Sequence, residues 1–182
     1  MSGADVIVLP GGVPNRLMAG LGSSPLLDQI VTRWRSGAGV TGSSAGAILL
    51  FEQRIRLYPP NPFHLIPGFG LLRGYIAAPH FDRLRVPRWF SPFIEGLGGL
   101  GVIGLDESTG LVGREGSMQV LGTGSVTIAT GSGIDIHPSG STLDLHLSVP
   151  GPQVDPDAES IQDSTTSASR GRVIAPLVSR VS

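Results

Sequence analysis

Cysteine is absent from the 182 residues. Disulfide bonds, thiolate metal sites and cysteine nucleophiles are therefore excluded. Neither sign of charge is in clear excess, because the net charge is only −1. This balance gives no electrostatic reason to expect nucleic acid or an anionic membrane as a partner. No apolar run reaches the length of a membrane span, and no basic segment with a signal-like apolar stretch opens the chain. We therefore expect a cytoplasmic protein.

Glycine and proline, by contrast, are abundant. The 27 Gly and 15 Pro predict many loops and little long helix, while the 40% hydrophobic residues suffice to fill a core. The length suggests one domain and a tail. We assign residues 1–149 to an α/β domain. The polar, Ser/Thr-rich segment 150–182 has no periodicity and is predicted to be a disordered tail, with an edge strand near its end as the alternative.

Strand and helix patterns alternate in the first fifty residues. Residues 5–10 (DVIVLP) form a short apolar run, typical of a strand buried on both faces of a parallel sheet. Pro14 and Pro25 each suit the first turn of a helix, and Gly37 suits the end of the second one. A further strand follows directly. This order predicts an α/β fold with a three-layer, mostly parallel, doubly wound sheet.

The later part of the domain changes character. Residues 54–70 are rich in Pro, Phe and Gly and are interpreted as a surface loop over the site. Residues 75–78 and 101–105 are predicted to be short buried strands, with a helix between them over 83–96. From there the spacing of glycine turns predicts C-terminal β-hairpins built from short strands at 110–113, 117–121, 125–130, 133–137 and 143–149.

The central motif is VTGSSAGAILL, over residues 40–50. G-x-S-x-G at a strand-to-helix corner is the pattern of a nucleophile elbow, in which small residues flank the serine because the turn is tight. Such a corner exposes the Ser44 hydroxyl. It also directs the backbone N–H of Ala45 to the same point from a helix N-terminus, where negative charge is favoured. The alternative is an ordinary Gly/Ser-rich turn that starts a helix.

A serine nucleophile needs a base, and the base needs an orienting acid. Of the four histidines, only His80 follows a predicted central strand, at the sheet edge where α/β proteins place their sites. Asp106 and Glu107 close the next strand at the same edge. Adjacent residues point in opposite directions, so only one of the two can serve. The Gly11–Gly12 turn would supply a second oxyanion donor through the N–H of Gly12.

Four segments together resemble serine peptidase family S51, which comprises dipeptidase E, cyanophycinase and relatives. They are GGVPNRL, VTGSSAGA, PHFDRLRVPRW and GLDESTGLV, in that order within residues 4–130. The resemblance implies a class I glutamine amidotransferase-like (flavodoxin-like) fold. It implies Ser44 as nucleophile, His80 as general base and Glu107 as the acid. A small, acidic peptide or isopeptide is the expected partner, a homodimer is left open, and no metal or organic cofactor is expected.

The same resemblance implies substrate-binding residues. Asn15 stands near a substrate-binding glutamine of cyanophycinases, and three arginines echo the cluster that follows their histidine. These are Arg83, Arg85 and Arg88, which could bind a substrate carboxylate or could form a solvated helix face. Ala78-Pro79 stand where cyanophycinases have Asp-Gln, so we expect a substrate other than their polymer. Family members carry further strands before the glycine pair, so we expect that an N-terminal part is missing here.

Two other functions remain open at this point. The first is a non-catalytic binding module that keeps the elbow geometry without turnover. The second is a general esterase of the α/β-hydrolase type. Those enzymes have their residues in the order Ser, acid, His, and Glu52 is the carboxylate that would then have to be essential.

Overall fold

The computed structural model describes residues 3–56, 64–84, 90–114, 116–147 and 174–175. These residues form an α/β structure with many short strands and few helices. The helices are α1 (Pro14–Leu21), α2 (Pro25–Arg35), α3 (Ala45–Leu50) and α4 (Phe90–Glu95), with a 3₁₀ turn at Phe81–Arg83. The strands are β1 (Val6–Leu9), β2 (Gly39–Gly42), β3 (Gln53–Arg56), β4 (His64–Pro67), β5 (Tyr75–Pro79), β6 (Gly101–Leu105), β7 (Thr109–Arg114), β8 (Ser117–Gly122), β9 (Ser125–Thr130), β10 (Gly133–Pro138), β11 (Thr142–Leu143) and β12 (Ile174–Ala175).

Two parallel strand pairs position the site. β1 pairs with β2, and β5 pairs with β6. The chain crosses from β2 to β5 through α3, which packs against both strands. Because the two strands of a parallel pair end at the same edge, the segments after β1 and β2 lie together, and so do the segments after β5 and β6. The doubly wound, three-layer arrangement as a whole stays a prediction.

The predicted helix starts are found at both prolines. α1 begins at Pro14 and α2 at Pro25, with Ser24 as the residue before it. Gly37 follows the end of α2 with a φ of +104°, which a glycine adopts without strain. The inner face of α2 buries Ile30 and Trp34. No helix of the described residues is long and apolar enough to cross a membrane.

From β7 onward the paired strands are antiparallel, as the glycine spacing predicts. The strand predicted at 143–149 is wrong for residues 144–147, because the strand there, β11, ends at Leu143. β7 pairs with β8, and β9 lies between β6 and β10, so that the order of one sheet is β10-β9-β6-β5. A second sheet has the order β11-β8-β7-β12. β12 matches the edge-strand alternative for the end of the chain. The rest of the predicted tail at 150–182 lies outside the described residues.

Two interpretations of the sequence are corrected. Residues 54–70 are not simply a loop, because β3 and β4 pair as an antiparallel hairpin within them. Because these residues are rich in Pro, Phe and Gly, their sequence does not show the alternation of apolar and polar residues that indicates a strand. β1 is not buried on both faces either: Val6 and Val8 are 50% and 66% exposed, whereas Ile7 and Leu9, on the other face, are buried. Of the predicted helix at 83–96, α4 forms the last part.

Candidate active site

Ser44 lies at the sharp corner between β2 and α3. Its backbone has φ 48° and ψ −107°, a conformation that is strained for any residue with a side chain. The hydroxyl is carried on a half-buried residue, whereas Ala45 behind it is buried. The corner therefore presents the Ser44 hydroxyl at the surface of an otherwise packed element.

The two glycines of the motif are required by close backbone approach. A Cβ on Gly46 would lie 2.3 Å from the carbonyl oxygen of Leu9, and a Cβ on Gly42 would lie 2.5 Å from the backbone nitrogen of Ala47. Neither neighbour is the flexible end of a side chain. The G-x-S-x-G spacing is thus the condition for packing α3 against the end of β1, rather than an incidental glycine-rich turn.

His80 follows β5 directly and faces Ser44. Its Nε2 lies 3.2 Å from the Ser44 Oγ. The backbone of His80 is left-handed, with φ 59° and ψ 37°, and the buried ring of Phe81 anchors the turn behind it. The histidine side chain itself is 36% exposed. A ligand can therefore reach the imidazole from solvent.

Glu107 is the carboxylate that meets His80. Its Oε1 lies 3.1 Å from Nδ1 of the imidazole. A carboxylate only accepts hydrogen bonds, so Nδ1 carries the ring proton and Nε2 is left to accept from Ser44. Asp106, the other candidate, turns away and accepts the backbone N–H of Ser125 at 2.8 Å through its Oδ2.

The residues after His80 also hold Glu107. Arg83 donates from Nε to Oε1 at 2.7 Å and from Nη2 to Oε2 at 2.8 Å, which is the two-point geometry that an arginine makes with a carboxylate. The Oδ1 of Asp82 accepts the backbone N–H of Glu107 at 3.0 Å. Three neighbouring side chains on one short turn therefore converge on a single glutamate.

Left-handed backbone is concentrated at this site. Among the described residues, the three non-glycine residues with positive φ are Ser44, His80 and Ser108, the last with φ 54°. Ser44 and His80 are the two residues whose side chains are in contact, and Ser108 directly follows Glu107. Backbone strain of this kind persists only where the surrounding structure enforces it, and it clusters at functional sites.

The glycine turn after β1 lies against the nucleophile corner. A Cβ on Gly11 would be 3.5 Å from the Cβ of Ser44. Outside helices and strands, neither the backbone N–H of Gly12 nor that of Ala45 donates to a backbone carbonyl of the described residues. The oxyanion role of these two N–H groups stays a prediction.

The predicted substrate-binding residues have other contacts. Arg83 is engaged by Glu107, as above, rather than left free for a ligand. The Oδ1 of Asn15 accepts a hydrogen bond of 2.9 Å from Nη2 of Arg54. Arg85 and Arg88 lie outside the described residues. Glu52, the acid that the esterase alternative requires, pairs with Arg73 at 3.4 Å and makes no contact with His80.

Sequence reasoning missed the buried supports of the site. Thr109 is 1% exposed; its hydroxyl donates to the carbonyl of Glu107 and accepts the N–H of Gly124. Arg54, placed in a predicted loop, is 7% exposed. For Thr109, its position two residues after Glu107 is the sequence feature that could have indicated its role. Burial of Arg54 depends on the β3–β4 hairpin and had no signal in the sequence.

Other features of the molecule do not belong to this constellation. A cleft of about 490 Å³ runs along the β3–β4 hairpin, and none of its lining residues is Ser44, His80 or Glu107. Within the described segments, no three His, Asp or Glu side chains lie close enough to hold a metal ion together.

Comparison with known proteins adds independent findings. The model of peptidase family S51 matches residues 1–121. Cyanophycinases of Synechococcus elongatus and Trichormus variabilis are 36% and 37% identical over 130 residues. The match takes in 66% of this chain but 40% and 43% of theirs, so the chain spans less than half of these relatives.

A solved structure is similar as well. The crystal structure of a peptidase from an acI-B1 Actinobacterium matches with a TM-score of 0.65 at 30% identity, over 78% of this chain and 60% of that one. The four motifs, the family match and this structural similarity all agree. The chain belongs to peptidase family S51.

Proposed function

We propose that this chain is a serine-type peptidase that acts through Ser44, His80 and Glu107. Ser44 is the nucleophile, His80 the general base and Glu107 the acid that orients the imidazole. The observation that carries the proposal is one continuous chain of contacts from the glutamate through the imidazole to the serine oxygen, with distances of 3.1 and 3.2 Å. This is the geometry that a triad needs, whatever the order of its residues in the sequence.

The proposed reaction begins with proton transfer from the Ser44 hydroxyl to Nε2 of His80 as Oγ bonds to the scissile carbonyl carbon. Negative charge then develops on the carbonyl oxygen, where the N–H groups of Gly12 and Ala45 can donate to it. The C–N bond breaks, and the proton on Nε2 passes to the leaving amine. Water then attacks the acyl-serine, giving up a proton to His80, and the released serine recovers it.

The proposed substrate is a short peptide or isopeptide that carries a free carboxylate near the scissile bond, so that the activity is dipeptidase-like. Arg85 and Arg88 remain proposed contributors to carboxylate binding. Ala78-Pro79 stand where cyanophycinases have Asp-Gln. This difference supports a substrate other than the polymer that cyanophycinases cleave. The contacts of Arg83 with Glu107 support a role in holding the acid rather than in binding substrate.

A fluorophosphonate probe tests the nucleophile without knowledge of the substrate. We expect covalent labelling of the protein, complete loss in Ser44→Ala, and a labelling rate in His80→Ala lower by about 10³-fold or more. Ser43→Ala is the matched control, because it removes the neighbouring hydroxyl and should label normally. A folded protein that does not label would reject the peptidase and support a non-catalytic binding module instead.

A further inference from the structure

Arg54 is a buried cation that has no anionic partner among the described residues. Its residue is 7% exposed, and none of the described carboxylates forms an ion pair with it. Its hydrogen bonds go to neutral groups: Nε donates to the carbonyl of Pro67 at 3.2 Å, and Nη2 donates to Oδ1 of Asn15 at 2.9 Å. Burying a charge costs free energy that an opposite charge would normally offset. No described residue gives Arg54 that compensation.

Two donors at this position have no partner in the part of the chain that the structure describes. Arg54 Nη1 makes no hydrogen bond to the described residues. In Asn15, the bond from Arg54 fixes Oδ1 as the acceptor, which leaves the Nδ2 amide hydrogens facing elsewhere on an exposed residue. An anion could accept from both Nη1 and Nδ2.

The position of Asn15 relates these donors to the nucleophile. It lies in the first turn of α1, directly after the glycine turn. Gly11 in that turn contacts Ser44, and β3 follows directly on α3, the helix that starts behind the serine. α1, which carries Asn15, packs against α3, the helix that begins directly after Ser44. Asn15 and the arginine bonded to it therefore lie on elements that adjoin the nucleophile corner.

We propose that Arg54 and Asn15 form an anion subsite beside Ser44 that binds a carboxylate group of the substrate. The inference rests on the proposed peptidase function and names a determinant of its specificity. Burial, and after it the positive charge of Arg56, lowers the pKa of Arg54. An anionic ligand would relieve both effects, whereas a neutral ligand would relieve neither.

Succinate and its neutral isostere succinamide distinguish the subsite from a purely structural arginine. The measurement is the rate of fluorophosphonate labelling of Ser44 with the additive, divided by the rate without it, so that each variant is its own reference. We expect succinate to slow labelling of the wild-type protein and succinamide to have little effect. In Arg54→Met, the succinate concentration that halves the rate should rise by about 10- to 100-fold, the value of hydrogen bonds to a charged group.

Asn15→Asp provides a second variant that keeps the contact with Arg54. The new carboxylate would pair with the guanidinium and neutralise the subsite internally, so protection by succinate should be lost although the fold is retained. Arg73→Met is the matched control, because it removes an exposed arginine that is paired with Glu52. Its response to succinate should equal that of the wild type.

The outcomes separate this proposal from the peptidase proposal. If the wild type labels at Ser44 but succinate protects Arg54→Met and Asn15→Asp equally well, the anion subsite is wrong and the peptidase function stands. Protection by inorganic phosphate that equals protection by succinate would also overturn a carboxylate site. If the wild type does not label at all, the nucleophile proposal fails, and succinate binding is then read from the shift in melting temperature across the same variants.

Discussion

Arg83 and Glu107 form a two-point ion pair, with Nε on Oε1 at 2.7 Å and Nη2 on Oε2 at 2.8 Å. The same Oε1 receives Nδ1 of His80 at 3.1 Å. The arginine side chain is 60% exposed and the glutamate side chain 18% exposed. Arg83 therefore covers Glu107 on the solvent side and holds its carboxylate in contact with the imidazole. We regard Arg83 as a positioning residue for this reason.

Substitution of Arg83 separates positioning from substrate binding. Arg83→Gln leaves Glu107 oriented by fewer donors, so we expect kcat to fall by about tenfold while KM changes little, since geometric precision of the triad affects the chemical step. Arg83→Lys should recover little, because an ammonium cannot make the two-point contact. Arg114→Gln, at the exposed end of β7, is the control. A raised KM with unchanged kcat would assign Arg83 to substrate instead.

The choice of acid is tested by two amide substitutions. Glu107→Gln keeps the shape of the side chain but can leave His80 in the wrong tautomer, so we expect kcat to fall by about 10²- to 10⁴-fold. Asp106→Asn retains an oxygen for the N–H of Ser125 and should keep most of the activity. Glu52→Gln should also be active. Loss of activity in Glu52→Gln with an active Glu107→Gln would instead support an esterase of the α/β-hydrolase type.

Two glycine substitutions test the packing of the nucleophile corner. Gly46→Ala drives a methyl group into the carbonyl of Leu9, where only backbone can move, and should lower the free energy of unfolding by about 3 kcal/mol. Gly20→Ala lies within α1, where the added carbon would meet nothing within 4 Å beyond its chain neighbours and the backbone of its own helix. It should therefore raise that free energy by about 0.5–1 kcal/mol. Urea denaturation measures both. Equal changes in the free energy of unfolding for the two variants would show that the close approach of Gly46 to Leu9 does not restrict the packing.

Arg54 also carries a prediction about stability. Its pKa is lowered by burial and by Arg56, so the unfolded chain holds the proton more tightly than the folded one. The charged side chain therefore opposes folding throughout the range below its folded pKa, and this cost fades only as the pH rises through that pKa.

At neutral pH the full cost applies, and Arg54→Met removes it. The acceptors that lose a hydrogen bond, on Asn15 and Pro67, belong to exposed residues and can bond water instead. We expect the free energy of unfolding at pH 7 to stay equal or to rise by up to about 2 kcal/mol. Thermal denaturation beside Arg73→Met measures this. A loss greater than about 1 kcal/mol would mean that Arg54 serves to join the β3–β4 hairpin to α1.

The sequence by itself determined the local structure around the site. Val40 and Thr41, the G-x-S-x-G corner and the apolar residues after it specify a strand, a turn and a helix through propensity and steric limits that act within ten residues. Pro14 and Pro25 likewise mark helix starts, because the restricted φ of proline is a local property. The position of His80 after a strand followed from the same kind of pattern.

Tertiary structure alone decided what these segments meet. Asp106 and Glu107 are neighbours with the same charge, and only the turn that carries His80 and Arg83 selects Glu107 as the acid in contact. An arginine after the histidine suggests either anion binding or a solvated helix face, and the fold pairs Arg83 with the carboxylate of Glu107. The burial of Arg54 arises from pairing across the β3–β4 hairpin. Such contacts join residues far apart in the chain, and local propensity carries no information about them.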